Sequence, residues 1–284
     1  MGPLAYVEGE FCLPGEKKIY IEDRGYQFGD GVYEVVRVYG GRTFGLNAHL
    51  DRLWASAGAV EIEIPQTRAE IEGVVRELVE KSGFGQAQVY IQITRGVAPR
   101  QHGFPSGARP VLVMTVREAP EIPQQLREGG GAVITHPEIR WKYCHIKTLN
   151  LLPNIMAKEA AARAGVQEAL FVREDGVVTE GSSTNVFIVK NNTLYTHPAN
   201  QSILRGVTRA VTLDICFGKG LKVVEKPFIL GELLGADEVF LTGTISEIMP
   251  IVTVDGRRIG SGVPGPVTKE IYESFLQHVQ LTDD

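Results

Sequence analysis

Between Glu118 and Gly131 the chain changes character. Pro120 and Pro123 stand towards one end, Gly129-Gly130-Gly131 at the other, and polar residues lie between them. Prolines and a glycine triplet make a poor helix or strand, so the stretch reads as an interdomain linker. The expected division is a smaller N-terminal α/β domain over residues 1–118, a linker over 119–131, and a larger domain over 132–284. At 284 residues and 43% hydrophobic content, the chain is long enough to bury a substantial core.

Both parts mix strand and helix signals. Residues 4–12 and 17–21 read as strands around a Pro14-Gly15 turn, and 32–39 as a strand turned back by Gly40-Gly41. Asn47 is placed to N-cap a helix carrying His49, Leu50, Arg52 and Leu53. Thr67-Arg68-Ala69-Glu70 has capping-box spacing, and the helix it opens lines up Ile71, Val74, Val75, Leu78 and Val79. Strands follow at 86–95 and 111–116. Beyond the linker, strands are expected at 132–136, 168–172, 185–189, 193–195, 222–226 and 238–242. Helices are expected after Lys147 as far as Gly165, and over 206–217, 228–234 and 267–280. The mixture indicates α+β or α/β, not a bundle or a sandwich.

Several classes are set aside. The net charge is −5 with both signs mixed along the chain, so no basic stripe suits a nucleic acid. No segment approaches the roughly 18 apolar residues of a membrane span, and the first residues lack a signal-peptide pattern. Cys12, Cys144 and Cys216 are scattered without a Cys-x-x-Cys pair, which implies neither a disulfide framework nor a zinc site. The expectation is a cytoplasmic chain with no membrane partner and no metal. His136-Pro137-Glu138 and His49-x-Asp51 do not extend to a full ligand set and read as structural histidines.

Four clusters could carry chemistry. Lys147 stands between Ile146 and Thr148-Leu149, in a stretch that begins strand-like and turns helical. Desolvation disfavours an ammonium, and a neutral lysine amine is a nucleophile for aldehydes. Alternatively its stem packs and its head reaches water. In Val178–Asn185, Glu180 precedes a run of small hydroxyls, which could also be a plain turn. Gly206-Val207-Thr208 opens a helix and could hold a phosphate on free N–H groups. Gly243-Thr244 offers similar groups at a strand end. Three glycines within Gly25–Gly31 mark unusual backbone angles or a close approach.

Taken together, these motifs resemble one family along nearly the whole chain. Glu22 to Glu34, Thr94-Arg95-Gly96, Arg140-Trp141, His145 to Leu152, Thr179 to Ser183, and Thr196 to Asn200 are similar to the fold-type IV pyridoxal-phosphate aminotransferases. Within that class the pattern is most similar to the bacterial members specific for D-amino acids. The resemblance implies a two-domain fold-type IV enzyme, with a larger C-terminal domain of mixed β-structure and helices. It implies pyridoxal 5′-phosphate in a cleft between the domains, and a homodimer.

It also implies roles. Lys147 is the Schiff-base lysine and the proton carrier between substrate Cα and cofactor. Glu180 faces the pyridine nitrogen and favours the protonated ring. Arg52, Gly206, Val207, Thr208, Gly243 and Thr244 form the phosphate cup; related enzymes often carry a hydroxyl residue where Gly243 stands. Tyr33, Arg100 and His102 bind the substrate α-carboxylate, the last two supplied by the partner subunit's loop. Val35 and Tyr90 line the side-chain pocket. The implied reaction moves an amino group from a D-amino acid such as D-alanine to 2-oxoglutarate, giving D-glutamate and a 2-oxo acid. A branched-chain L-aminotransferase, an aminodeoxychorismate lyase or an (R)-amine transaminase would keep the cofactor with another substrate. A non-catalytic binding protein would keep only the fold.

Overall fold

A computed structural model describes residues 2–17 and 19–281. The chain forms two compact units. The first runs to Pro120 and also takes in Ile146–Asn150; the second comprises Glu121–His145 and Leu151–Leu281.

In the first unit, β1 (Leu4–Val7), β2 (Glu10–Cys12), α1 (Arg24–Phe28), β3 (Gly31–Tyr39), β4 (Arg42–Phe44), α2 (Leu46–Ala59), α3 (Arg68–Ser82), β5 (Gln86–Thr94) and β6 (Val111–Glu118) follow in order. The strands make a six-stranded sheet in the order β2-β1-β6-β5-β3-β4, with every pairing antiparallel. Alternation along β5 buries Ala87, Val89, Ile91 and Ile93 in the same core as Leu46, Leu50 and Leu53 of α2 and Ile71, Val75 and Leu78 of α3. The capping box forms as expected, with Thr67 Oγ1 accepting from Glu70 N and the Glu70 carboxylate accepting from Thr67 N. Asn47 is not a cap. The helix starts at Leu46, after Gly45 at φ 66°, so the cap lies two residues earlier, and Asn47 accepts a bond from Arg68. No strand forms at 17–21 among the described residues, and a short helix, α1, lies within the glycine-rich stretch.

In the second unit, a short helix, α4 (Gln124–Gly129), forms within the proline–glycine stretch expected to be irregular. It is followed by β7 (Gly131–Pro137), α5 (Leu152–Arg163), β8 (Glu168–Val172), β9 (Val177–Gly181), β10 (Asn185–Lys190) and β11 (Thr193–Thr196). Next come α6 (Val207–Gly218), β12 (Lys222–Glu225), β13 (Phe228–Ile229), α7 (Leu230–Leu234), β14 (Glu238–Gly243), β15 (Glu247–Val254), β16 (Arg257–Arg258) and α8 (Pro266–Leu281). The ten-stranded mixed sheet runs β12-β11-β10-β14-β15-β7-β8-β9-β13, with β16 on β15. Strands β8, β10 and β14 are nearly continuous apolar runs, as expected of strands buried on both faces. Among the described residues, no helix is long and apolar enough to cross a membrane.

Candidate active site

The expected strand before Lys147 does not form, because Arg140 to Asn150 is irregular. What fixes Lys147 is the edge of β3. Strand β4 pairs only with residues 37–39 of β3, which leaves the other end of that edge open. Residues 147–149 dock there: Tyr33 N donates to Lys147 O at 3.0 Å, and Leu149 N to Gly31 O at 3.0 Å. Ser56 Oγ accepts from Lys147 N at 3.1 Å. Two glycines permit the approach. A Cβ on Gly31 would lie 2.6 Å from Ile93 O and 2.7 Å from Leu149 Cδ1. Gly29 caps α1 at φ 67°, and its carbonyl accepts from Asn150 Nδ2 at 3.0 Å.

Alternation along β3 then separates two sets of side chains. Val35 stands opposite Tyr90 and Tyr33 opposite Gln92, so these four share one face of the sheet. The Lys147 ammonium lies over the Tyr33 ring, 4.3 Å from its centroid, and the Tyr33 and Tyr90 rings are 5.6 Å apart. Tyr90 donates its hydroxyl to Gln92 Oε1 at 2.8 Å, and burial pushes its phenol up to about 12. Tyr33, Val35, Tyr90 and Lys147 therefore form one constellation of an amine and aromatic rings.

The opposite face carries a charged cluster that the sequence reading did not assemble. Glu34 is fully buried between Val32 and Val36 and faces α2. Arg52 grips it through Nε at 2.7 Å and Nη2 at 2.9 Å, and His49 Nδ1 lies 2.7 Å from Oε2. Burial alone would raise the Glu34 carboxyl, but the Arg52 charge and the bonds from Arg52 and His49 override it and hold the group far below the usual range. Burial depresses His49, which favours a neutral ring donating to the carboxylate. The signal for Glu34 was an acid at an inward position of an alternating strand.

Arg100 and His102 are exposed on the 96–105 loop. The Arg100 guanidinium lies 4.8 Å from the Phe28 ring centroid, and the His102 ring meets Phe28 edge-on at 5.7 Å. Arg24 holds the loop by donating to Gln101 O at 2.6 Å, while its Nε pairs with Asp30 at 2.7 Å. Both residues are thus packed on α1 of the same chain.

In the second unit, Thr179–Asn185 is no surface turn. Thr179, Glu180, Ser182, Thr184 and Asn185 are all buried. Glu180 accepts from Arg140 Nη1, from Asn185 Nδ2 at 3.0 Å and from Leu204 N at 3.0 Å. Burial pushes its carboxyl up to about 6, against the pull of Arg140. Arg140 also grips Glu138, at 2.9 and 2.6 Å, and stacks over the Phe171 ring. A carboxylate offers about four acceptor sites, so these three donors leave room for another. The hydroxyls following Glu180 converge on Glu168, also buried, which accepts from Ser182 Oγ, from Ser183 Oγ at 2.9 Å and from Thr184 Oγ1 at 3.3 Å. Arg140 lay within a recognised motif without a role, while Glu168 and Asn185 had no assigned role at all.

Helix α6 begins at Val207 after Gly206, with no side chain capping its N-terminus. Val207 and Thr208 are buried there, and a Cβ on Gly206 would lie 2.1 Å from Asn185 Oδ1. Its first N–H groups have no acceptor within the helix and suit an anion. Gly243 and Thr244 lie at the end of β14, which packs against α6. The predicted cup residues 206–208 and 243–244 thus belong to adjacent elements of this unit.

A D-alanine aminotransferase of Bacillus licheniformis is 44% identical over 276 residues, covering 97% of this chain and 96% of that protein. One from Staphylococcus haemolyticus is 39% identical over 275 residues, covering 97% of each. The Escherichia coli branched-chain amino acid aminotransferase superposes with a TM-score of 0.88 at 26% identity, covering 97% of this chain and 94% of that one. A T.th. branched-chain amino acid aminotransferase, solved with pyridoxamine 5′-phosphate, gives 0.90 at 27% identity, covering 98% and 94%. Residues 31–254 match the family described as amino-transferase class IV, and the chain belongs to that family.

Proposed function

We propose that this chain is a D-amino acid transaminase that uses pyridoxal 5′-phosphate to pass an amino group from a D-amino acid such as D-alanine to 2-oxoglutarate. The observation that carries the reading is the 44% identity with a D-alanine aminotransferase across 97% of the chain. The branched-chain enzymes share the fold at only 26–28% identity. The residues suit the cofactor. An amine stands over an aromatic ring, a buried acid keeps acceptor capacity, and an uncapped helix start with a close-packed glycine suits a phosphate.

When bound, the cofactor supplies an aldehyde for the amino group and a protonated ring that draws electrons from the substrate Cα. The Lys147 amine would be the residue that holds the cofactor aldehyde and, when free, the base placed to carry the substrate Cα proton. Tyr33 limits where the amine can swing. Glu180, fixed by Arg140, Asn185 and Leu204, would favour a proton on the ring nitrogen. Val207, Thr208 and Thr244 would hold the phosphate, and Arg52, set by Glu34, would add positive charge. Tyr33, Arg100 and His102 bind the α-carboxylate, and Val35 and Tyr90 border the side chain.

We further read the active form as a homodimer whose partner loop brings Arg100 and His102. Leu152, Ile155 and Met156 form an exposed apolar stripe on α5, which supports association. Borohydride reduction and peptide mapping are expected to find the cofactor on Lys147, and Lys147→Ala is expected to abolish transamination. D-alanine should donate to 2-oxoglutarate and L-leucine should not. Turnover of L-leucine alone would transfer the assignment to the branched-chain class.

A further inference from the structure

Two arginines of the first unit meet on one aromatic ring and use their donors in opposite ways. Phe28 is the last residue of α1. The Arg24 guanidinium lies 4.9 Å from its ring centroid and the Arg100 guanidinium 4.8 Å, while the His102 ring meets it edge-on at 5.7 Å.

Arg24 spends its donors. It is buried, and its Nε goes to Asp30 at 2.7 Å. Its Nη1 donates to Gln101 O at 2.6 Å and its Nη2 to His102 O at 3.5 Å. Asp30 also accepts from Arg95 Nε at 2.8 Å, and the Arg95 guanidinium covers the Phe104 ring at 3.6 Å. Before the tip, Arg24 N donates to Gly96 O at 2.9 Å and Ala98 N to Glu22 O at 3.2 Å. The loop backbone is therefore held on both sides of Arg100.

Arg100 keeps its donors. Among the described residues its side chain makes no hydrogen bond or ion pair, and neither does that of His102. An acidic partner would fix the guanidinium but occupy its N–H edge. A ring face instead attracts the cation through its quadrupole and leaves the five N–H donors for a ligand. A side chain ordered in advance also loses less freedom when it binds, so its grip is stronger.

We propose that Phe28 is a positioning residue for the substrate carboxylate: its ring aligns Arg100 and His102 in advance, while Arg24, locked by Asp30, keeps the loop backbone against it. The inference rests on the reading above in which Arg100 and His102 bind the α-carboxylate, and the test separates the two.

The full chain, loaded with cofactor, is assayed with D-alanine and 2-oxoglutarate and inhibited with propionate, a carboxylate that cannot react. Phe28→Leu keeps an apolar side chain and removes the ring. It is expected to raise both KM values by roughly 3- to 30-fold, the worth of a cation–ring contact, with kcat held within about 2-fold. The propionate inhibition constant should rise by the same factor. Phe28→Tyr retains the ring and should restore all three. Arg24→Lys keeps the charge beside Asp30 but not the fork on the two carbonyls, and should raise both KM values less strongly. In an Arg100→Ala background, Phe28→Leu should add less than it does in the parent, because it acts through the arginine. Full additivity with Arg100→Ala, or a fall in kcat at unchanged KM, would make Phe28 a packing residue and overturn the proposal. If Arg100→Ala weakens both substrates and folded Phe28→Leu weakens neither, the positioning role fails while the carboxylate reading stands. If Arg100→Ala leaves both KM values and the propionate constant unchanged, the carboxylate reading fails and takes the positioning role with it.

Discussion

Arg140 offers the sharpest test of how the acid at 180 is tuned. Glu180 is buried, which alone would neutralise it, and Arg140 is the leading influence that keeps its carboxyl down to about 6. The guanidinium, itself 5% exposed at the side chain, is shared between Glu180 and Glu138. An opposite charge at such range shifts a carboxyl by about 1–3 units, so Arg140→Gln should carry Glu180 to about 7–9. At pH 7 the ionised fraction would then fall ~2-fold at the small end of that range and ~100-fold at the large end. A neutral acid cannot hold the proton on the ring nitrogen. The rate of the D-alanine half-reaction, followed by the cofactor's absorbance, should therefore show an acid limb displaced upward by one unit or more, with most of the rate recovered at alkaline pH. Arg140→Lys keeps the charge but loses the paired geometry and should move the limb less. A folded Arg140→Gln enzyme with its acid limb unmoved, or a rate loss equal at every pH, would refute the argument.

Two further outcomes follow from the first unit. Glu34→Gln leaves the Arg52 charge without its buried partner and should lower unfolding free energy by about 3–5 kcal/mol in urea titrations near neutral pH. Because the folded Glu34 carboxyl is depressed, its stabilisation is full above its ordinary 4.5 and drains away as pH falls below that value. The gap between parent and Glu34→Gln should accordingly narrow in acid, and a gap independent of pH would sink the charge argument. Arg100→Ala should raise KM by about 10-fold or more for D-alanine and 2-oxoglutarate alike, since the α-carboxylate is common to both. A change confined to one substrate would place Arg100 at the side chain instead.

The difference between what the sequence disclosed and what it concealed has a physical pattern. Lys147 and Glu180 stand out in the sequence because each lies in a motif whose neighbours, Thr148-Leu149 and Gly181-Ser182, take part in the local backbone arrangement. The docking of residues 147–149 on β3 and the hydroxyl turn on Glu168 both show why. The strands expected at 17–21 and before Lys147 failed because Ile19, Tyr20, Ile21, Trp141 and Tyr143 satisfy a strand pattern yet stay exposed. Apolar content does not distinguish a strand from an unpartnered loop. Asn47 lost its cap to a neighbouring glycine able to adopt φ 66°, a choice that composition does not reveal.

The ion clusters were hidden for a deeper reason. Glu34 finds His49 and Arg52 fifteen and eighteen residues away, and Glu180 finds Arg140 forty residues away, so no local spacing announces either pairing. What the sequence did hold was the anomaly itself: an acid at an inward position of β3, and others at Glu168 and Glu180 in strands otherwise built for burial. Such acids are tolerable only when a cation, a neutral imidazole or several hydroxyls are brought to them. Each marks a place where the fold had to bring distant residues together. In this chain those places are the Glu34 cluster against α2 in the first unit and the Glu168 and Glu180 clusters in the second. The buried acids therefore show where the fold needs long-range partners, by physics that needs no relative for comparison.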